Sequence, residues 1–118
     1  MRNSTQSKIG KLDLSPKQLA IVSELLQKNL PHHQAWAFGS RAKSSARKYS
    51  DLDIAVSQSQ TLSFQKLCQL SRAFEGSDLD ICADIVDWPQ ASHEFRRSVE
   101  RSGMVRLQQA FKRSDLPT

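Results

Sequence analysis

The sequence AWAFGSRAKSSARKYSDLDIAV, residues 35–56, decides how this chain is interpreted. It contains Gly39-Ser40, then ten residues, then Asp51-Leu52-Asp53, and short apolar runs lie on both sides of this pattern. Apolar runs separated by such a segment predict a strand, a turn and a second strand. Glycine lets a phosphate approach the backbone, and aspartates supply the oxygen ligands that Mg²⁺ prefers. The stretch therefore predicts phosphate chemistry at a turn between two strands.

The bulk composition is that of one ordinary globular domain. The 118 residues suffice for a single hydrophobic core. We expect a flexible basic tail over residues 1–12, a domain over 13–110 and a frayed end over 111–118. The longest apolar runs are too short to span a membrane, and residues 1–13 lack the apolar segment of a secretory signal. We therefore expect a cytoplasmic protein that does not associate with a membrane.

Two pairs of residues look like metal or redox sites but favour simpler interpretations. Cys68 and Cys82 lie in apolar neighbourhoods without metal-ligand spacing, so we predict small core residues and no disulfide. His32 and His33 are adjacent and follow a proline, which is typical of a turn rather than of a metal pair.

Helices and strands alternate along the rest of the chain. Ser15-Pro16-Lys17-Gln18 predicts a helix start with a capping box, followed by a buried stripe at Leu19, Val22 and Leu26. The pattern predicts a small α/β (α+β) domain with a mixed sheet. The other predicted elements are a strand over 34–38, a helix over 63–74 that buries Phe64, Leu67, Leu70 and Phe74 and ends at Gly76, a strand from about 79 to 86, a polar helix from about 91 to 101, and a short apolar end at 104–107.

The alternation of side chains along a strand brings three carboxylates to one surface. Asp51 and Asp53 share one face of their strand, opposite the aliphatic residues between and after them. Asp84 lies on the polar face of the next predicted strand, so the three side chains are expected to converge. Asp80 shares the face of Asp84 but lies roughly 13 Å away along a strand. Asp87 differs from Asp84 by an odd number of residues and should point away.

Positive charge is concentrated beside the Gly-Ser turn. The chain has 17 Lys and Arg residues against 12 Asp and Glu, a net charge of +5. Four of these cations, Arg41, Lys43, Arg47 and Lys48, lie between the turn and the two aspartates. Next to aspartates able to hold metal, they favour a bound phosphate chain over a merely solvated loop. Direct nucleic-acid binding is not expected, because no aromatic-interleaved basic platform accompanies the charge.

These motifs resemble the minimal nucleotidyltransferases of the DNA polymerase β superfamily, whose hallmark is Gly-Ser, about ten residues and Asp-x-Asp. The segments AWAFGSRAK, KYSDLDIAV and ADIVDW are each similar to segments of small bacterial members, and the likeness covers about residues 14–107. A second Ser-Asp-Leu-Asp at 77–80 follows Gly76 at a helix end and is set aside as a turn. Ser44 stands where members usually have glycine. The resemblance implies a polymerase β palm-like fold, with helices packed on one side of the mixed sheet.

The resemblance also implies an activity and its residues. Members transfer a nucleoside monophosphate to a hydroxyl group and release pyrophosphate, with ATP as the expected nucleoside triphosphate donor and two Mg²⁺ ions as cofactors. Asp84 would be the carboxylate that acts on the acceptor. The implied catalytic residues and metal ligands are Asp51, Asp53 and Asp84, and the implied nucleotide-binding residues are Gly39, Ser40 and Arg41.

A partner is implied as well. Members of this family work with a helical subunit encoded nearby, of the higher eukaryote and prokaryote nucleotide-binding (HEPN) type, in homo- or hetero-oligomers. In many pairs the HEPN subunit is a toxin, and the transferase is the antitoxin that adenylylates a tyrosine on it. Two alternatives stay open at this point: a non-catalytic module that neutralises its partner by contact, and a transferase that modifies a small molecule bound by a helical partner.

Overall fold

The computed structural model describes residues 12–43, 46–47, 50–57 and 62–108. Within them, four strands form one mixed sheet, which confirms the predicted fold class. The strands are β1 at Gln34–Phe38, β2 at Leu52–Ser57, β3 at Ala83–Asp87 and β4 at Val105–Gln108, and their order in the sheet is β3-β2-β1-β4. Strands β1 and β2 are antiparallel, β2 and β3 are parallel, and β1 and β4 are antiparallel.

The first helix, α1 (Pro16–Asn29), begins at the predicted capping box. The Ser15 hydroxyl accepts from the Gln18 amide at 3.1 Å, and the Gln18 Oε1 accepts from the Ser15 amide at 2.9 Å. Both bonds satisfy donors that a helix start leaves unpaired. Val22 and Leu26 are fully buried, so the predicted stripe faces the core.

The second helix, α2 (Phe64–Glu75), buries only part of its predicted face. Leu70 and Phe74 are buried, whereas Phe64 is 81% exposed, so its predicted burial is wrong. Phe64 is the first residue of the helix, directly after the cap Ser63, and the buried stripe begins further along. Gly76 ends the helix as predicted.

The two faces of the sheet have different roles. One face supplies the buried aliphatic side chains that pack with α1 and α2, among them Ala37 and Ile54. Directly paired residues on neighbouring strands share a face, and Phe38 is paired with Asp53. The Phe38 ring meets Phe95 of α3 (His93–Ser102) edge to face, with centroids 5.8 Å apart. Asp53 therefore lies on the face opposite α1 and α2, the face to which α3 contributes an aromatic side chain.

Three element boundaries differ from the predictions. The strand predicted from 79 to 86 begins only at Ala83, although Leu79 and Ile81 still pack against the core. The polar helix starts at His93 rather than near residue 91, because a 3₁₀ turn precedes it and Ser92 caps it. The apolar end at 104–107 is the edge strand β4, which the sequence patterns did not identify as a strand.

The cysteines and histidines also depart from expectation. Cys82 is exposed, so its assignment to the core is wrong; it lies just before the edge strand β3, while Cys68 is half-buried and both thiols are free. The chain does turn at Pro31 and His32, but the next side chain, His33, is only 8% exposed. Neither of its ring nitrogens has a hydrogen-bond partner among the residues that the structure describes. None of the helices in the described part of the chain is both long and apolar enough to cross a membrane.

Candidate active site

The Gly-Ser turn lies at the end of β1 and touches the first carboxylate. Gly39 has φ = 78°, a conformation that favours glycine, and a 3₁₀ turn over Ser40–Ala42 follows it. A Cβ atom at position 39 would lie 3.4 Å from Cγ of Asp53 and would overlap its Oδ2. Position 39 thus needs glycine for two reasons, and the Asp53 carboxylate lies directly against the turn.

The three predicted aspartates come together at the same end of the sheet. Asp53 and Asp84 are paired in register on the parallel strands β2 and β3, so their side chains share a face. Asp51 is exposed and lies immediately before β2. Burial raises the pKa of the Asp53 carboxyl, and the negative charges of Asp84 and Asp51 raise it further. The convergence expected from strand alternation is thus present, while the chemical role of each residue stays a prediction.

These carboxylates suit a hard cation that arrives with a phosphate ligand. Carboxylate oxygens are the donors that Mg²⁺ prefers, and the pKa of the Asp53 carboxyl is raised by burial and by the negative charges of Asp84 and Asp51. The residues described by the structure contain no ready-made group of three or more His, Cys, Asp or Glu side chains placed to hold a metal ion. Mg²⁺ is commonly held by one or two carboxylates together with substrate phosphates. Asp51 and Asp53 therefore fit a magnesium ion bound jointly with a nucleotide.

Two other acids of this region have structural partners. Asp80 is not part of β3; its Oδ1 accepts from Nε2 of Gln18 at 2.9 Å, and this bond lowers the pKa of the Asp80 carboxyl. Asp87 is buried at the end of β3, and its Oδ2 accepts from the Leu62 amide at 3.0 Å. Asp80 ties the second Ser-Asp-Leu-Asp to α1, and Asp87 holds the segment before α2.

Arg41 lies in the turn, and its side chain donates hydrogen bonds to backbone carbonyls. Its side chain is 5% exposed; Nε donates to the Ser50 carbonyl at 2.9 Å and Nη1 donates to the Asp13 carbonyl at 2.8 Å. No sequence pattern signals the contact with Asp13, which lies far away along the chain. The nucleotide contact of Arg41 stays a prediction. Of the other predicted loop features, Lys43 and Arg47 are exposed, whereas Ser44 and Lys48 lie outside the described residues.

A mixed sheet with a glycine turn against paired aspartates has the layout of a phosphoryl-transfer enzyme. The sequence profile of the family described as "Polymerase beta, Nucleotidyltransferase" matches residues 21–110. The chain belongs to this family of nucleotidyltransferases, as the resemblance implied.

Known relatives are similar over most of the chain. A protein of Haemophilus influenzae (strain ATCC 51907 / DSM 11121 / KW20 / Rd) described as "Probable protein adenylyltransferase MntA" is 39% identical over 109 residues, which cover 92% of this chain and 95% of that protein. A chain from a toxin-antitoxin crystal structure with AMP-PNP superimposes with a TM-score of 0.66 and 28% identity, covering 82% of this chain and 77% of its own length. A chain from a complex of tri-AMPylated Shewanella oneidensis HEPN toxin with MNT antitoxin gives a TM-score of 0.59 and 28% identity, covering 78% and 70%.

Proposed function

We propose that this protein transfers AMP from ATP to a hydroxyl group of a helical HEPN-type partner, most specifically a tyrosine, and thereby acts as an antitoxin. The observation that carries the proposal is the pairing of Asp53 with Asp84, together with the contact of the Asp53 carboxylate against Gly39. It places acidic groups beside a turn whose backbone is open to a phosphate. The Haemophilus relative described as a probable protein adenylyltransferase supports AMP as the transferred group.

The turn supplies the nucleotide side of the reaction. Gly39 presents backbone without a side chain, and the amides and hydroxyl at the start of the following 3₁₀ turn are suited to phosphate oxygens. We assign Gly39 and Ser40 to the triphosphate. The toxin-antitoxin structure solved with AMP-PNP supports an adenine nucleotide as ligand of this fold.

The carboxylates supply the transfer side. The acceptor oxygen forms a new bond to the α-phosphorus of ATP, the bond from that phosphorus to the β-phosphate oxygen breaks, and pyrophosphate leaves. Asp84, which is exposed on β3, takes the proton of the acceptor hydroxyl. Mg²⁺ held by Asp51 and Asp53 would neutralise charge on the phosphates. Asp53 is the more buried of these two aspartates and fixes the position of the pair against the turn.

The partner assignment rests on the relatives. Structures of HEPN toxin with MNT antitoxin contain chains similar to this one, and one of those toxins is AMPylated. A tyrosine suits the proposed reaction because its phenolic oxygen loses a proton more readily than an aliphatic hydroxyl.

Labelled nucleotide tests the proposal directly. The protein is incubated with Mg²⁺, α-labelled ATP and the helical subunit encoded beside it, in parallel with Asp53→Asn and with Asp80→Asn as a matched control. Asp80 belongs to the second Ser-Asp-Leu-Asp and is not one of the three converging aspartates, so its variant removes an exposed acid that has no proposed catalytic role. We expect label on a tyrosine of the subunit with the wild type and with Asp80→Asn, and none with Asp53→Asn.

Each other outcome points to a different function. Neutralisation of the subunit without label, unaffected by Asp53→Asn, would establish a contact-only module. Label on a small molecule and not on the subunit would replace the protein acceptor with a soluble one. Label that persists without Mg²⁺ would remove the metal from the proposal but keep the transfer.

A further inference from the structure

We propose that Arg41 is a positioning residue, which fixes the Asp51–Asp53 pair relative to the phosphate turn, and does not bind the triphosphate. The inference deepens the proposed function and rests on it for the meaning of the site. It concerns one side chain that joins two parts of the same active site.

The buried guanidinium of Arg41 is directed at backbone carbonyls. Its Nε donates to the Ser50 carbonyl at 2.9 Å, its Nη1 to the Asp13 carbonyl at 2.8 Å, and its Nη2 to the Arg47 carbonyl at a longer 3.4 Å. All three nitrogens thus have carbonyl partners, and only 5% of the residue's surface is exposed. A bound triphosphate would have to displace these bonds to reach the guanidinium.

The Ser50 contact acts on the first aspartate. Ser50 directly precedes Asp51, and Arg41 directly follows Gly39-Ser40, so one side chain connects the turn with the aspartate pair. Ser50 is also held locally: its amide donates to the Arg47 carbonyl at 3.1 Å, and its hydroxyl accepts from the Arg47 amide at 2.9 Å. The guanidinium therefore binds a residue that Arg47 also holds by two hydrogen bonds.

The contact with Asp13 holds Arg41 on the side opposite Ser50. The Asp13 amide donates to the Arg41 carbonyl at 2.6 Å, while the Asp13 carbonyl accepts from Nη1 of Arg41, so the two residues bind each other reciprocally. Asp13 lies between Leu12 and Leu14, which are both buried in the core. The segment before α1 thus supports Arg41. Because Arg41 also binds Ser50, the residue before Asp51 is connected to the core through Arg41.

Arginine is suited to this task and lysine is not. The planar guanidinium presents donors in several fixed directions at once, whereas an ammonium group is a single point on a flexible stem. An Arg41→Lys variant keeps the charge and most of the aliphatic stem, but it cannot reach the Ser50 and Asp13 carbonyls together. A residue that acts through its charge would tolerate this change better than Arg41→Gln, and a positioning residue would not.

The experiment compares Arg41→Lys and Arg41→Gln with the matched pair Arg72→Lys and Arg72→Gln. Arg72 is an exposed arginine in the last turn of α2, so its variants show the effect of changing an exposed charge on another element. Three quantities are measured on each protein: the Kd for the Mg²⁺ complex of a non-hydrolysable ATP analogue, kcat for AMP transfer to the helical subunit at saturating ATP, and the thermal midpoint. The salt dependence of the Kd is measured as well, because a lost contact with phosphate would flatten it.

We expect both Arg41 variants to lose about tenfold or more in kcat, which corresponds to about 1.4 kcal/mol of transition-state stabilisation. Any rise in the Kd of the Mg²⁺ complex should be similar in Arg41→Lys and Arg41→Gln, because both variants displace the pair that holds the metal, and the salt dependence should stay close to that of the wild type. Both Arg72 variants should behave as the wild type does. A raised Kd in Arg41→Gln that Arg41→Lys restores would overturn the proposal in favour of a direct phosphate contact. Loss of folding in Arg41→Lys would overturn it too, since the residue would then serve the fold alone.

Amide hydrogen exchange keeps this test separate from the proposed function. Exchange at residues 50–53 should be faster in Arg41→Lys than in the wild type and unchanged in Arg72→Lys, whether or not any AMP is transferred. Unaltered exchange would contradict the positioning role. A wild type that transfers no label but shows the expected exchange difference would count against the proposed function only.

Discussion

Asp53 and Asp84 stand side by side on the parallel strands β2 and β3, and the carboxylate of Asp53 lies against the backbone of Gly39. This arrangement places two carboxylates side by side and half-buries that of Asp53. Burial and repulsion both disfavour the charged form of Asp53, as its raised pKa indicates. A fold tolerates such an arrangement where function requires it.

Replacing Asp53 by Asn should remove activity while making the free protein more stable. The raised pKa means that the fold disfavours the charged carboxylate, so a neutral amide should raise the thermal midpoint in magnesium-free buffer at neutral pH. AMP transfer should fall on the order of 10²–10³-fold, comparable with the loss of one preorganised stabilising group. Asp80→Asn is the control: it removes a carboxyl whose pKa is lowered by its bond from Gln18, so it should give no such stabilisation and should leave transfer intact. A lower midpoint for Asp53→Asn would contradict this electrostatic account.

Asp84→Asn should separate nucleotide binding from transfer. Asp84 is assigned to the acceptor proton, so its variant should bind the Mg²⁺–nucleotide complex nearly as the wild type does, while kcat falls on the order of 10²-fold or more. Asp51→Asn and Asp53→Asn should instead weaken nucleotide binding in the presence of Mg²⁺. Calorimetric titration with a non-hydrolysable ATP analogue makes the comparison. Equal weakening by all three variants would show that Asp84 also binds the metal and is not a separate acceptor residue.

Gly39→Ala should abolish transfer, and Gly103→Ala should not. Both glycines combine positive φ with extended ψ, a region that other residues rarely adopt, so either alanine costs about 1–3 kcal/mol of backbone strain. Only the Cβ at position 39 would overlap a side chain, that of Asp53, whereas no atom lies within 4 Å of a Cβ at Gly103. Gly39→Ala should therefore lose more stability than Gly103→Ala in urea denaturation, and it alone should lose transfer. Comparable activity of the two would mean that the contact with Asp53 has no part in the reaction.

The stability of the protein should fall as pH drops below 6.5, because of His33. Burial lowers the pKa of His33 below its ordinary value of 6.5, with His32 and Lys66 acting in the same direction and Asp87 opposing them. The native state therefore favours the neutral ring: the stability is fully present above pH 6.5, decreases as pH falls towards the native pKa, and levels off below it. His33→Gln should flatten the pH dependence of the unfolding midpoint in this range. The exposed His93→Gln is the matched control and should leave the slope unchanged, because His93 is not among the groups that shift the pKa of His33. A slope unaffected by His33→Gln would assign the effect to other groups.

The sequence predicted the convergence of the aspartates more completely than it predicted the elements around them. Period-two alternation placed Asp53 and Asp84 on one surface, because neighbouring in-register strands keep their faces, and the structure has this register. The capping box at Ser15 and the helix end at Gly76 were predictable because each is a local hydrogen-bond pattern. Local chemistry of this kind is readable from a single sequence.

Features that depend on distant parts of the chain could not be predicted. The exposure of Phe64 depends on where α2 meets the sheet, and its helical spacing alone indicates burial. Strand β4 has four residues, and only its pairing with β1 distinguishes it from an apolar loop. The carbonyl partner of Arg41 at Asp13 lies 28 residues away, so the sequence indicated only the charge of Arg41 and not what it binds.

The most direct measurement of the central claim is the intact mass of the helical subunit after co-expression with this protein. The account predicts a subunit heavier by one or more AMP groups, mapped to tyrosine by peptide fragmentation, with the wild type and with Asp80→Asn, and an unmodified subunit with Asp53→Asn. An unmodified subunit that the wild type nevertheless neutralises would contradict the account.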